Sequence, residues 1–189
     1  MKLLPIDYAK PWGTELGVIK VLDNYFDQFI GLNNDIISFL TANGIPNEID
    51  ILDFSYLMDG RASLVSHENA FFFNIGYSSS SGDRVYIDNR DLTIFYIAEG
   101  DWNLKWYINQ NLESLSQVYL EYVRFCRSMG EIVPNAGFLS EFDDNSYNSF
   151  ISNVRKIDSG IFSHELSFWP VLFDELVSER NSCREEYLR

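Results

Sequence analysis

The chain of 189 residues has few of several residue types, and each shortage excludes something. Base is scarce: Lys and Arg total 14 against 28 Asp and Glu, a formal charge of −14. Phosphate binding needs a basic stripe, so nucleic acid is an unsuitable partner, and an anionic membrane surface is equally unsuitable. Cysteine is rarer still, with only Cys126 and Cys183, no CxxC pair and no secretory leader pattern. That pairing points to a reducing compartment and unbridged thiols, hence a cytoplasmic protein. "MKLLPIDYAKPWG" starts with one Lys and three apolar residues, but Asp7, Lys10 and Pro11 interrupt any apolar core of a signal. No apolar run is long enough to span a bilayer.

The shortage of base is uneven. From Val21 to Gly60 there is no Lys or Arg at all, while Asp23, Asp27, Asp35, Glu48, Asp50, Asp53 and Asp59 all lie there. From Arg61 to Gln110 six acids face four bases. The negative field is therefore predicted to be strongest around the N-terminal third. Such a field favours solubility and attracts a basic partner.

What is abundant is apolar and aromatic: 46% of residues are hydrophobic and 16% aromatic, with eleven Tyr and fifteen Phe. A chain of this kind offsets its ordering entropy by burial and folds. No internal repeat or Pro-rich linker divides it, so one domain over 1–189 is expected, with a helical extension at about 140–189. "NNDIISFLTANGIP" reads as a helix capped by Asn33 or Asn34, with Ile36, Ile37 and Leu40 inside, Gly44 at the left-handed end and Pro46 beyond. Ala70–Ile75, Val85–Ile87, Thr93–Ile97 and Lys105–Ile108 read as strands, the middle two joined by the turn "DNRD". Phe71 and Phe73 share one face of their strand and Phe72 the other, which implies a central strand covered on both sides. A long helix follows, capped by Asn109 or Asn111, carrying Tyr119, Tyr122 and Phe125 as core and stopped by Gly130. Two more helices are expected, one from near Asp143 and one containing Pro170 in its first turn. The fold class is α+β, a mainly antiparallel central sheet flanked by helices.

The loop in "FFFNIGYSSSSGDRVYIDNRD" has the glycines of a phosphate cradle but not its context. A strand, not a helix, follows Gly82, and no Lys lies in the loop. Gly76 and Gly82 instead read as positions of positive φ, and Ser78–Ser81 as a solvated tip.

The same segment resembles the central signature of the SUKH superfamily of immunity proteins: apolar strand, Ile-Gly, polar loop, Gly, then "VYID". Upstream "FLTANGIPNEIDILDF" is similar to that superfamily's helix, Gly, apolar, Pro, Phe element. Downstream "YINQNLESLSQVYLEYVRF" is similar to its Asn before an apolar helix. The three occur in order between Phe39 and Phe125. Pro11-Trp12 and the late "FWPVLFDEL" resemble the fourth subgroup. The serines of the loop depart from its usual Asp or Asn, and Glu131–Gly160 matches none of its elements. The resemblance implies a SUKH-like fold and a cytoplasmic immunity protein without cofactor. Such a protein binds and blocks a polymorphic or contact-dependent bacterial toxin, such as a nuclease or deaminase. The alternative is a small-molecule-binding or regulatory scaffold domain of the same fold.

Other chemistry is weakly represented. His67-Glu68 and His164-Glu165 are adjacent pairs, not the spaced pairs of a helical zinc site. Asp143 with Asp144 reads as a helix cap, and no G-x-S-x-G elbow occurs. No catalytic residue and no metal ligand is assigned. "AEGDWNLKWYIN" places Trp102 and Trp106 around a polar turn with Glu99 and Asp101. Trp dominates interface hot spots, so one of the two is expected to pack and the other to serve as an anchor. The candidate partner-binding set is Asp50, Asp53, Asp59, Glu99, Asp101, Trp102 and Trp106, of which Asp50, Asp53, Asp59, Asp101 and Trp102 are expected exposed together. The partner expected is a toxin protein, and the chain itself a monomer or weak homodimer.

Overall fold

A computed structural model describes residues 12, 18–46, 51–78, 82–98, 101–132 and 141–187. It is an α+β structure in which an antiparallel sheet carries helices. The strands are β1 (Val18–Ile19), β2 (Ile45–Pro46), β3 (Leu52–Asp53), β4 (Ser63–His67), β5 (Ala70–Ser78), β6 (Arg84–Asp88), β7 (Ile94–Ile97) and β8 (Lys105–Asn109). The helices are α1 (Asn34–Asn43), α2 (Ser55–Met58), α3 (Leu112–Ile132), α4 (Asp144–Ile157) and α5 (Phe168–Tyr187), with 3-10 turns at Asp23–Gln28 and Ser159–Phe162.

The main sheet runs β3-β5-β6-β7-β8, and β4 pairs with the first half of β5 on the same side as β3. β1 and β2 form a separate pair. β5 is central, as its Phe-rich composition predicts. Phe73 is 0% exposed in the main core, whereas Phe72, 1% exposed, belongs to a second cluster with Ala70, Tyr86, Phe95 and Ile97. Phe71, at the outer end of the strand, stays 49% exposed.

Local signals place most elements. The Asn33 side chain accepts from Asp35 N at 2.8 Å, and Gly44, at φ 69°, closes α1. Asp143 caps α4 by accepting from Asn145 N and Ser146 N. Asn111, not Asn109, caps α3, through reciprocal bonds with Ser114. α3 continues through Gly130 to Ile132, since an isolated Gly in a long apolar-faced helix costs only about 1 kcal/mol. Pro170 sits in the first turn of α5 as expected. Between β4 and β5, Glu68 and Asn69 both take positive φ, the geometry of a tight two-residue hairpin.

Two readings of the Gly-Ser loop need correction. Gly82 has φ 75°, but Gly76 has no positive φ. Its role is space: a Cβ there would lie 1.8 Å from the Asp53 carbonyl oxygen, so only Gly lets β3 approach β5. Ser78 is not loop but the end of β5, 2% exposed and paired with Leu52. Ser79–Ser81 lie outside the described residues.

Among the described residues, α3, α4 and α5 share the main core on one side of the sheet, and Trp102 packs against the second cluster on the other. Phe142, Phe150, Val154, Ile161, Trp169 and Phe173 from the C-terminal region share the main core with the sheet and α3, and Phe125 stacks on Phe150 at 4.6 Å. The chain before α5 also runs along β8, where Tyr107 N donates to Leu166 O at 3.0 Å. Among the described residues no helix is long and apolar enough to cross a membrane.

Candidate partner-binding surface

The side of the sheet opposite α3, α4 and α5 can be read row by row from the strand register. Asp53, Tyr77, Arg84, Ile97 and Lys105 lie in one row across five strands at one end of the sheet. Tyr86 and Phe95 are paired in a row further in, and Phe72 with Val65 beyond that.

Asp53 and Asp59 meet at the β3 end of the first row. The Asp53 carboxylate accepts from Ser55 N at 2.6 Å and also holds the Tyr77 hydroxyl. Burial pushes the Asp53 carboxyl up, but its bonds to Tyr77 and Ser55, with Arg61 nearby, outweigh that and hold it below its ordinary value. Asp59 pairs with Arg61 at 2.6 Å, and the Arg61 guanidinium lies 4.6 Å over the Tyr56 ring. Tyr56 in turn packs on Tyr77 at 5.6 Å. One guanidinium thus serves two carboxylates in this knot, which lowers its net negative charge.

Asp101 and Trp102 lie on the turn that joins Ile97 to Lys105, so they spring from the same end of the sheet. Asp101 is half-buried and caps its own turn, accepting from Asn103 N at 3.0 Å. Trp102 folds back over the sheet. It stacks on His67 at 4.3 Å and lies 5.0 Å from Phe72 and 5.2 Å from Tyr86. Lys105 Nζ adds cation–π contact, 4.8 Å over Phe72 and 5.2 Å over Phe95. Trp102 is therefore the roof of the second apolar cluster. Trp106 goes to the opposite side of the sheet, stacked on Tyr96 at 5.5 Å, with Tyr96 meeting Phe168 of α5. Asp50 and Glu99 lie outside the described residues. Of the seven predicted positions, the structure joins Asp53 with Asp59, sets Asp101 and Trp102 at the same sheet end, and sends Trp106 elsewhere.

Residues 22–35 form a surface that the single-residue reading did not assemble. Phe26, 4% exposed, roots the 3-10 turn Asp23–Gln28, and Phe26 and Phe29 both pack on Phe73. Asn89 of the β6–β7 turn fixes the following loop. It accepts from Asn33 N at 2.6 Å and donates to Gly31 O at 2.9 Å. What faces outward is Asp23, Asp27 and Asp35, interleaved with Leu22, 65% exposed, and Ile30, 93% exposed. Only the acidic half of this pattern was visible in the sequence. The exposure of Ile30 has no sequence signal, because an Ile beside Phe29 reads as core.

Against family models, curated proteins and solved structures, the chain has no match.

The buried polar centre of the molecule lies away from that surface. Asp158, 2% exposed, accepts from Tyr107 Oη, Asn109 Nδ2, Gln110 N and Gly160 N at 2.9 to 3.0 Å. Asn109 Oδ1 accepts from the Trp169 indole at 2.9 Å, so the residue offered by sequence as a helix cap is instead a core connector. Burial pushes the Tyr107 phenol far up, and its bond to Asp158 pushes it further. His164 stacks on Tyr107 at 4.1 Å while His67 sits under Trp102, so the two histidines do not converge. Among the described residues no group of three or more His, Cys, Asp or Glu is placed to hold a metal ion. The Asp158 network joins α4, β8 and α5. Its donors are all satisfied internally, which suits bracing rather than exchange with a ligand.

Proposed function

We propose that this chain is an immunity-type inhibitor, of the kind its SUKH resemblance implies, that neutralises a basic bacterial toxin by binding it. The observation that carries this reading is the surface of residues 22–35. Exposed apolar side chains alternate there with carboxylates in a stretch containing no base, on a chain of net charge −14. The two components do different work. Carboxylates steer a basic protein in and raise the association rate, while desolvated apolar groups hold it. A nuclease or deaminase is basic around its nucleic-acid cleft, so its charge is the complement of this surface.

The test is co-expression with a candidate basic toxin, chosen from the proteins encoded by neighbouring genes, scored as cell survival. The native chain restores growth. Asp23→Lys with Asp27→Lys, and separately Ile30→Asp, each weaken protection and raise the dissociation constant by about tenfold or more, some 1.4 kcal/mol. All these positions are exposed, so the melting temperature stays near that of the native chain. Protection that is unchanged by both variants, or turnover of a substrate by the purified chain, overturns the reading.

A further inference from the structure

A cavity of about 240 Å³ opens where the first turns of α1 and α3 meet the β6–β7 turn. It is lined by Ile36, Phe39, Ile87, Leu92 and Leu112 together with Asp35, Asn111 and Glu113, and Glu113 Oε1 also accepts from Gln117 Nε2 at 3.4 Å. Ile36, Ile87 and Leu112 are 1%, 0% and 4% exposed, whereas both acids are exposed. Among the described residues no Lys or Arg lines it.

We propose that this cavity receives one arginine side chain of the bound partner. This rests on the toxin-binding reading and gives its acidic surface a specific socket, since Asp35 belongs to both. Four physical points select the occupant. First, the volume is below the roughly 300–1,000 Å³ of sites that enclose a drug-sized molecule, so a single side chain fits better than a metabolite. Second, the lining among the described residues is negative, with two acids and no base. Each helix N-terminus contributes about +0.5 charge, which reduces but does not reverse the charge of the two carboxylates. An anion is therefore repelled and a cation drawn in. Third, a lining that combines apolar side chains with two carboxylates suits a side chain with a methylene stem and a cationic head. Fourth, a guanidinium is more weakly hydrated than an ammonium and presents a planar fork to carboxylates, which favours arginine over lysine.

The experiment follows the Ile and Leu methyl signals of the whole chain by NMR during titration with n-butylguanidinium, n-butylammonium and the neutral n-butylurea. The guanidinium produces saturable shifts at Ile36, Ile87, Leu92 and Leu112. The ammonium binds several-fold more weakly, and the urea gives no saturation. Asp35→Asn with Glu113→Gln weakens the guanidinium response by about tenfold or more and weakens toxin binding in parallel. A flat guanidinium titration, or an equal response to the urea, overturns the pocket. Ammonium binding as tight as guanidinium binding overturns the arginine assignment. Native-level toxin affinity in the double variant overturns the partner assignment. Because the titration contains no toxin, its failure is distinct from a failure of protection in cells, which would sink the toxin-binding reading instead.

Discussion

Replacing Asp158 by alanine removes the common acceptor of four donors: Tyr107 Oη, Asn109 Nδ2, Gln110 N and Gly160 N. A hydrogen bond to a charged acceptor contributes at least about 1.5 kcal/mol, so the gross loss is roughly 6 kcal/mol. The two backbone donors are only part-buried and recover water, which halves their share. A net destabilisation of about 3–5 kcal/mol follows, in line with breaking one partner of a buried polar network. Asp158→Asn is milder, about 1–3 kcal/mol, because one amide oxygen remains while the amide NH₂ confronts donors of its own kind. Urea unfolding at neutral pH reads both values from the midpoint, provided the slope is unchanged. Tyr107→Phe, combined with Asp158→Ala in a double-mutant cycle, should show a coupling of at least about 0.5 kcal/mol. A loss below about 1 kcal/mol for Asp158→Ala would refute the bracing role, since it would mean that the four donors find other partners at no cost.

Three further outcomes test the frame of the molecule. Gly76→Ala places a methyl 1.8 Å from the Asp53 carbonyl, so β3 must separate from β5. The expected cost is about 3 kcal/mol, read by thermal or urea unfolding. Trp102→Ala uncovers Phe72 and Tyr86 and costs about 2–3 kcal/mol, less than a fully buried Trp because Trp102 is only partly buried. Hydrogen exchange should accelerate in β5 and β6 before α4 and α5. At alkaline pH, burial, with Asp83 nearby, pushes the Tyr96 phenol up to about 12. Burial and the Asp158 bond push Tyr107 up as well. Both folded values exceed the unfolded one near 10, so this stability is complete below pH of about 10 and is lost as pH rises through the folded values. Phenolate absorbance should lag in these two rings until unfolding, and Tyr107→Phe should flatten the alkaline fall in stability.

Much of the fold was legible because local chemistry and tertiary role agree. Asn33, Gly44, Asp143 and Pro170 act at helix ends through bonds within a few residues, which sequence displays directly. The triple Phe of β5 announces a strand covered on both sides, and its two covers differ only in kind, helices for Phe73 and the Trp102 turn for Phe72. What was not legible depends on distant approach. β3 has only two residues, and β4 has mixed polarity and is followed by the turn Glu68-Asn69, without the Gly that marks a tight hairpin. Gly76 is required by a carbonyl 23 residues away, and Asn109 is recruited by Asp158 from 49 residues away. The candidate site was half legible. The base-free stretch from Val21 to Gly60 located the negative field. Which side chains face outward within it was decided by the docking of Phe26 and Phe29 on Phe73, and that docking exposes Leu22 and Ile30.

The central claim is that the acidic surface of residues 22–35 engages a basic partner protein. Stopped-flow association with the toxin identified by the survival assay, across a range of ionic strengths, tests it most directly. The account predicts an association rate that falls steeply with added salt for the native chain, and a markedly lower, nearly salt-independent rate for Asp23→Lys with Asp27→Lys. Association equally fast in both chains and insensitive to salt would contradict it.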